Sequence, residues 1–555
     1  MMVGGLRSHP PLCETSKTTS PIPANIVPCP PELLPEENAT MLRLVCCVGL
    51  LLSIATISFA EEETKLNDPP KGFKLLFNGK DLTGWKGLVA NPKARAEMSK
   101  EELAAAQAKA DESMRAHWKA EDGILVFDGK GQSLCTAKDY ADFEMYVDFK
   151  IKKAGDSGIY LRGSPQVQIW DPTNLGPNPK GVGSGGLYNN KENPSEPIAN
   201  ADKPVGEWNT FFIRMVGDRV TVKLNGELVT DDVVLENYWE RDKPIYRTGQ
   251  IELQNHGNTL YFRNIYIREL VTPEQLEKME DAMPEEARVQ PEKPEDVLVF
   301  IRYDGFRHSS IPVGAVAVQM LGEKTGAYSA RITNDLTMLA PETLNNYNAV
   351  VMVNTTGEWI KPRPEDLKKL AAAGQEMTAE EAEAMFKKSL LEFVSNGNGL
   401  VGFHAASDAN YQWPEFGKMI GGYFHGHPWH ENVGIKVDDP DHPLMAAFGG
   451  EGFNVVDEIY QFRDPYSRDA LHVLLSLDVE KTNMEKRGIH RTDGDFAVSW
   501  VRPWGKGRVF YSSLGHREEI YWNPQILKFY LDGIQFSLGD LDGPTAPSTA
   551  ETAQN

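Results

Sequence analysis

The run Leu400-Val401-Gly402-Phe403-His404-Ala405-Ala406-Ser407-Asp408 constrains this chain more than any other stretch. Its apolar start, with no polar alternation, reads as a strand buried on both faces, and a sheet covered by helices on each side provides that setting. The run then breaks into small and polar residues, so the strand turns sharply at its C-terminal end. A turn of this kind carries the nucleophile in several hydrolase folds. Here it carries His404, and the last of the five cysteines is Cys135. Chemistry at this turn must rest on histidine, carboxylate or a bound metal.

The surrounding sequence repeats the pattern. Residues 297–301 and 349–353 are further apolar runs, and residues 313–321 and 379–394 have helical character between them. This alternation over 296–540 predicts a doubly wound α/β, flavodoxin-like domain with its site at the C-terminal strand ends. Residues 364–378 read as an insertion in one crossover, and 541–555 as a disordered tail. The preceding part of the chain differs in kind. Between residues 73 and 270, short alternating segments are separated by turn signals such as Ala154-Gly155-Asp156, Asn225-Gly226 and Asn255-His256-Gly257. Many short strands with few helices predict an all-β jelly-roll sandwich over 65–272. Residues 93–117, rich in Ala, Glu and Lys, interrupt it as a surface helix. Residues 273–295, rich in Glu and Pro, read as a linker with a short helix at 274–282.

A length of 555 residues leaves room for two or three full cores. The net charge of -22 argues against a nucleic-acid partner, because phosphates need a basic surface. A neutral carbohydrate suits such a chain. Residues 1–60 read as a disordered leader followed by a signal peptide, with Met41 the better start. Arg43 supplies the positive region, 44–57 the apolar region, and Ser58-Phe59-Ala60 the small-x-small cleavage site before Glu61. The apolar run is short for a membrane span. The expectation is an exported protein, periplasmic or extracellular, with no stable membrane insertion after cleavage. Cleavage leaves Cys135 as the one thiol, so no internal disulfide forms.

Side chains alternate between faces along a strand. Met145, Val147, Phe149 and Ile151 oppose Glu144, Tyr146, Asp148 and Lys150; Ile159 and Leu161 oppose Tyr160 and Arg162. Val167 and Ile169 oppose Gln166, Gln168 and Trp170; Ile251 and Leu253 oppose Glu252, Gln254 and His256. One face is core. The other reads as a wetted sheet surface or as a sugar-binding face, since sugar rings stack on aromatics and hydroxyls need both donors and acceptors.

Specific motifs accompany this pattern. Phe77-Asn78-Gly79-Lys80-Asp81-Leu82-Thr83-Gly84-Trp85, Asp156-Ser157-Gly158-Ile159-Tyr160-Leu161-Arg162, Gln166-Val167-Gln168-Ile169-Trp170-Asp171, Gly206-Glu207-Trp208-Asn209, Leu224-Asn225-Gly226 and Phe262-Arg263-Asn264-Ile265 follow in order. Over residues 70–270 the chain resembles the 3-keto-disaccharide hydrolase domain family. The resemblance implies a concanavalin-like jelly roll acting on 3-keto-glycosides. A ketone at C3 acidifies the hydrogen at C2, the glycosidic oxygen leaves C1 by β-elimination, and water addition completes a net hydrolysis. Such a site needs a base, an acid and a positive group or metal for the enolate. His256, Glu252 and Asp156 are the acid/base or ligand candidates, and Arg162 is the candidate for stabilising the enolate. Gln166, Gln168, Trp170, Asp171, Tyr160 and Gln254 are the candidates for substrate binding. Asp171 has the wrong parity unless its strand ends before it. Two positions depart from the family pattern: Asp156 stands where Asn is usual, and Gln166 where Glu is frequent.

Nine of the twelve histidines follow residue 300. Arg307-His308, His404, His425-Gly426-His427-Pro428, His430, His442 and Gly515-His516 accompany Asp335, Asp408 and Asp457-Glu458, several of them at expected strand ends. The motifs around His404, Phe424-His425-Gly426-His427-Pro428, Asp457-Glu458-Ile459-Tyr460 and residues 505–516 resemble the trehalose-utilisation ThuA-like family over 295–540. That resemblance implies a class I glutamine amidotransferase-like fold without the thiol, associated with disaccharide breakdown through keto-sugars. His308, His404, Asp408, His427, Glu458 and His516 form the candidate site of this second domain. Neutral imidazole suits zinc or another transition metal. His404, His427 and His516 are then candidate ligands to a divalent ion, with Asp408 or Glu458 completing or orienting them. A metal-free acid–base site and a binding role are the alternatives. The combined expectation is an exported enzyme that cleaves 3-keto-glycosides by hydrolysis or β-elimination. Two other readings stand beside it: a non-catalytic glycan-binding jelly roll on a ThuA-like scaffold, and a separate ThuA-like enzyme.

Overall fold

Alternation decides the N-terminal architecture. In the strand Asp142–Ile151, Phe143, Met145, Val147 and Phe149 are fully buried, each contributing ~1.5–3 kcal/mol of apolar burial. A computed structural model of the chain describes residues 65–174 and 183–547, so the expectations for residues 1–60 lie outside the described residues. The larger sheet runs in the order Glu227–Val234, Arg219–Leu224, Asn209–Val216, Asp142–Ile151, Leu260–Val271, Ile124–Phe127, Trp118–Glu121, with Lys74–Leu75 also paired to Leu260–Val271. The smaller sheet runs Trp85–Gly87, Leu134–Thr136, Glu252–Leu253, Asp156–Leu161, Ser164–Trp170. Both are antiparallel. Their inner faces share one core, in which Ile159, Leu161, Val167, Ile169 and Leu253 meet Phe143, Val147 and Phe149.

This arrangement divides what the alternation presented as one polar face. Glu144 and Asp148 lie on the outside of the larger sheet, where Arg268 donates to Glu144 and Arg263 to Asp148 at 3.0 Å. Asp156, Tyr160, Gln166, Gln168 and Glu252 belong to the smaller sheet and its opposite outer face. The helical interruption docks on this smaller sheet. Its helix Lys100–His117 starts in a capping box at Ser99 and Glu102. Gln107 donates to the Gly87 carbonyl at 2.8 Å, and Gly87 N–H to Asp111 at 2.9 Å. A Cβ at Gly87 would stand 2.1 Å from the Ala110 carbonyl oxygen, so this approach requires glycine.

Residues 273–295 are pinned in place. The helix Pro273–Ala282 is capped by Thr272 and buries Leu276 and Met279 in the core of the following domain. Further ties join the two domains: Arg331 to Asp232 at 2.8 Å, Lys369 to Asp231 at 2.7 Å, and Arg247 to Glu323. Lys369 lies on Pro364–Ala372, so the expected crossover insertion contributes a helix and an interdomain contact.

The second domain contains one mixed sheet. Ser329–Thr333, Asp296–Phe300, Ala349–Val353, Gly399–Phe403 and Gly507–Ser512 are parallel neighbours in that order. Ser310–Thr325 and Pro524–Leu538 pack on one face, and Ala379–Ser395 and Pro414–Ile420 on the other. Helices on both faces explain the unbroken apolar runs. The sheet then continues antiparallel through Ala497–Trp504, His472–Leu477, Tyr423–Val437 and Phe453–Arg463, an extension the alternation did not predict. The expected tail is docked in its first part: His472 meets the Ala546 carbonyl at 2.6 Å, and His442 meets that of Pro544 at 3.2 Å. Among the described residues, no helix is long and apolar enough to cross a membrane.

Candidate functional site

Two groups of chemically active side chains stand out. The first lies on the outer face of the smaller sheet. Glu252 is registered opposite both Tyr160 and Cys135. It is 2% exposed, and one carboxyl oxygen is buried without a partner. Burial pushes its pKa up to about 7, against the opposing charge of Arg95. A carboxyl group there can both take and give a proton near neutrality. Burial, reinforced by Glu252, also pushes the Cys135 thiol up to about 12, which keeps it protonated. Gln254 donates to the Tyr160 hydroxyl at 3.2 Å. A polar chain continues from there on the same sheet: Gln166 donates to Gln168, Gln168 to Asp156 at 3.1 Å, and Asp156 lies 3.1 Å from exposed His256. Burial raises the Asp156 pKa, and the neighbouring His256 opposes that shift. Trp170 is registered opposite Asp156, and its indole N–H is engaged by the Asn174 carbonyl.

Two expected members of this site have other work. Arg162 follows the end of its strand at φ +53°, which turns its side chain away from the polar face. Its guanidinium pairs with Asp142 and donates to the carbonyls of Ala141, Gly217 and Tyr246. Every one of its nitrogens is engaged, so none remains for an enolate. Asp171 lies past the end of its strand and holds a turn, accepting from Ala154 N–H at 2.6 Å and from the Thr173 N–H and hydroxyl. Sequence reasoning missed Arg95. It belongs to the helical interruption, and only the docking of that segment brings its charge to Glu252.

The second group gathers at the C-terminal ends of the parallel strands, where open α/β sheets form their sites. His404 begins the turn after Gly399–Phe403, at φ +45° and fully buried. Its Nδ1 lies 2.7 Å from the Ser513 carbonyl, which fixes the proton there and leaves Nε2 as a lone-pair donor. His516 Nδ1 is 3.3 Å from that Nε2. Glu458 Oε1 is 3.6 Å from His404 and 3.4 Å from His516, while its Oε2 is 3.5 Å from His427 and 3.4 Å from His430. His308 lies beneath, 4% exposed, its ring centre 5.1 Å from those of both His404 and His516. Burial lowers the His308 pKa to about 4 and that of His404 well below its usual value. Burial pushes Glu458 upward, but its hydrogen bond to His516 and the surrounding imidazoles hold it below the usual range. Buried Asp457 accepts from Gly515 N–H at 2.7 Å and Arg517 N–H at 2.9 Å, which fixes the loop that carries His516.

Asp408 stands at the side of this cluster and accepts from the Tyr411 hydroxyl at 2.5 Å. His430, named among the sequence motifs but not placed in the candidate site read from them, also belongs to the cluster. Three positions after His427, it would face the opposite way in a regular strand. Register shifts around Gly426 and Trp429 let both rings reach Glu458. His425 goes elsewhere and stacks on His490 at 4.6 Å.

The molecule is thus a two-domain protein: a β-sandwich with a carboxylate–histidine–amide face, joined to an α/β domain with a histidine–glutamate cluster. Residues 72–268 match the family model of the 3-keto-alpha-glucoside-1,2-lyase-like domain, and residues 296–537 match that of trehalose utilisation, ThuA. The chain therefore carries a 3-keto-disaccharide hydrolase-like domain followed by a ThuA domain. It is 24% identical over 254 residues to a 3-keto-disaccharide hydrolase of Bacteroides thetaiotaomicron, covering 36% of this chain and 79% of that relative. Among solved structures it is similar to a provisionally named glycosyl hydrolase of Parabacteroides distasonis, at 26% identity over 37% of this chain and all of that one, with a TM-score of 0.29. It is also similar to a provisionally named ThuA-like protein of Bacteroides uniformis, at 24% identity over 44% of this chain and 93% of that one, with a TM-score of 0.35.

Proposed function

We propose that the N-terminal domain cleaves 3-keto-glycosides by β-elimination across C1 and C2. Glu252 takes the proton from C2, and the electron pair passes through the enolate of the C3 ketone. The pair returns to form the C1–C2 double bond as the C1–oxygen bond breaks. The Asp156–His256 pair gives a proton to the departing oxygen. Addition of water across the double bond makes the overall result a hydrolysis. Tyr160, Gln254, Gln166 and Gln168 hydrogen-bond the sugar hydroxyls, and the Trp170 ring supports an apolar sugar face. The observation that carries this reading is a buried carboxyl group poised near neutrality beside Tyr160, on the sheet that also holds the Asp156–His256 pair.

The test is turnover of 3-keto-trehalose and a 3-keto-glucoside by the full chain. Release of the 3-keto-sugar or its unsaturated elimination product is expected. Sugar affinity without turnover would move the assignment to a glycan-binding domain, a second reading favoured by the amide of Gln166 ending the chain to Asp156. Export belongs to the same proposal. N-terminal sequencing of the protein recovered outside the cytoplasm is expected to begin at Glu61, and a start at Met1 or Met41 would contradict cleavage.

A further inference from the structure

We infer that the α/β domain binds one divalent first-row transition-metal ion, zinc or a close neighbour, on His404, His516 and Glu458. This site is separate from the keto-glycoside site proposed above and does not depend on it. His404 Nε2, His516 Nδ1 and Glu458 Oε1 form a triangle with edges of 3.3, 3.4 and 3.6 Å. Ligand atoms placed 2.0–2.1 Å from a tetrahedral ion lie about 3.3 Å from one another. The triangle therefore has the dimensions of one face of such a coordination sphere.

The donor chemistry agrees. The His404 proton is held on Nδ1 by the Ser513 carbonyl, so Nε2 offers a lone pair into the triangle. This is the hydrogen bond that orients a ligating imidazole through its other nitrogen. His308, His404 and His516 can each bring a ligand atom within 4.8 Å of the other two, and so can His430, Glu458 and His516. His308 is more than nine-tenths buried, and its Nδ1 has no hydrogen-bond partner. A set of imidazoles with one carboxylate suits zinc and its neighbours better than calcium or magnesium, which prefer all-oxygen sites.

The geometry also distinguishes a deep side from an open side. His308 and His404 are buried, whereas the side chains of His427 and His430 are 52% and 46% exposed. The strand Tyr423–Val437 thus borders the approach from solvent. Phe306, 65% exposed and with its ring 4.8 Å from that of His308, borders it too. An ion held from below would keep this side available for an oxygen-bearing ligand, the arrangement that separates catalytic from closed structural zinc sites.

The experiment uses the full chain, stripped with chelator, loaded with zinc or cobalt(II) and passed through a desalting column. Metal is counted by mass spectrometry, and the cobalt(II) form is read by its visible absorption. One equivalent per chain and the intense visible bands of a tetrahedral cobalt site are expected. Glu458→Gln and His516→Ala should each weaken binding at least tenfold, whereas Glu252→Gln should retain a full equivalent. Glu458→Gln preserves side-chain volume, and circular dichroism identifies any variant that has failed to fold. Less than one tenth of an equivalent on the unaltered chain would overturn the assignment, as would undiminished binding by folded Glu458→Gln and His516→Ala.

Discussion

Glu252→Gln is expected to lower kcat/KM for 3-keto-glycosides by about 10²–10⁴, the usual range for losing a positioned acid or base. Gln keeps the volume of the side chain but cannot take a proton, so the fold should survive. The pH dependence gives a second signature. If Glu252 must be ionised to act, kcat/KM of the unaltered chain rises as pH climbs through about 7, the value to which burial pushes this group, and that limb vanishes in the variant. Stability should move in the opposite direction. The native state holds the Glu252 proton to a higher pH than the unfolded chain does, so stability falls as pH rises from about 4.5 through about 7. That loss is on the order of 3 kcal/mol when complete. The variant should therefore be more stable than the unaltered chain at pH 8 and nearly equal to it at pH 4. Thermal melts at the two pH values check the sign. A variant that turns over normally would remove Glu252 from the mechanism.

Arg162→Ala should act on the fold. The substitution leaves Asp142 buried without its cation and leaves the carbonyls of Ala141, Gly217 and Tyr246 without a donor. Breaking a buried pair on one side costs about 3–5 kcal/mol. For a domain of this size that corresponds to a fall in Tm of roughly 6–20 °C. Melting by calorimetry is the measurement, accompanied by kcat and KM at a temperature where the variant is still folded. A large fall in Tm with kcat preserved is expected. An unchanged Tm with kcat lost would return Arg162 to the chemistry. His256→Ala provides the contrast: the ring is largely exposed and 3.1 Å from Asp156, so its loss should change turnover more than stability.

Much of this molecule was legible in residue order. The period of two around Met145, Ile159, Val167 and Leu253 separates core from polar face correctly, because the pleat imposes that period locally. The unbroken runs at 297–301, 349–353 and 400–403 become parallel strands covered on both sides. His308, His404 and His516 stand at strand ends as expected and come together there, since an open parallel sheet presents those ends side by side. Gly515-His516 and Asp457-Glu458 lie 58 residues apart along the chain, and the Asp457 bond to Gly515 N–H shows how closely folding brings them.

What residue order alone determined is therefore periodic or local: the faces of strands, the two-domain division and the turns that carry histidine. Tertiary structure decided what depends on distant partners. It assigned Glu144 and Glu252 to different sheets, turned Arg162 onto Asp142, bulged one strand so that His427 and His430 both meet Glu458, and docked the segment carrying Arg95 above Cys135 and Glu252. The physical reason is one of range. Sterics and hydrogen bonding within a strand or turn act over a few residues and leave a repeating signature in the sequence. Ion pairs, buried carboxyls and ligand clusters take their properties from groups far along the chain, and only packing determines which of those groups they meet.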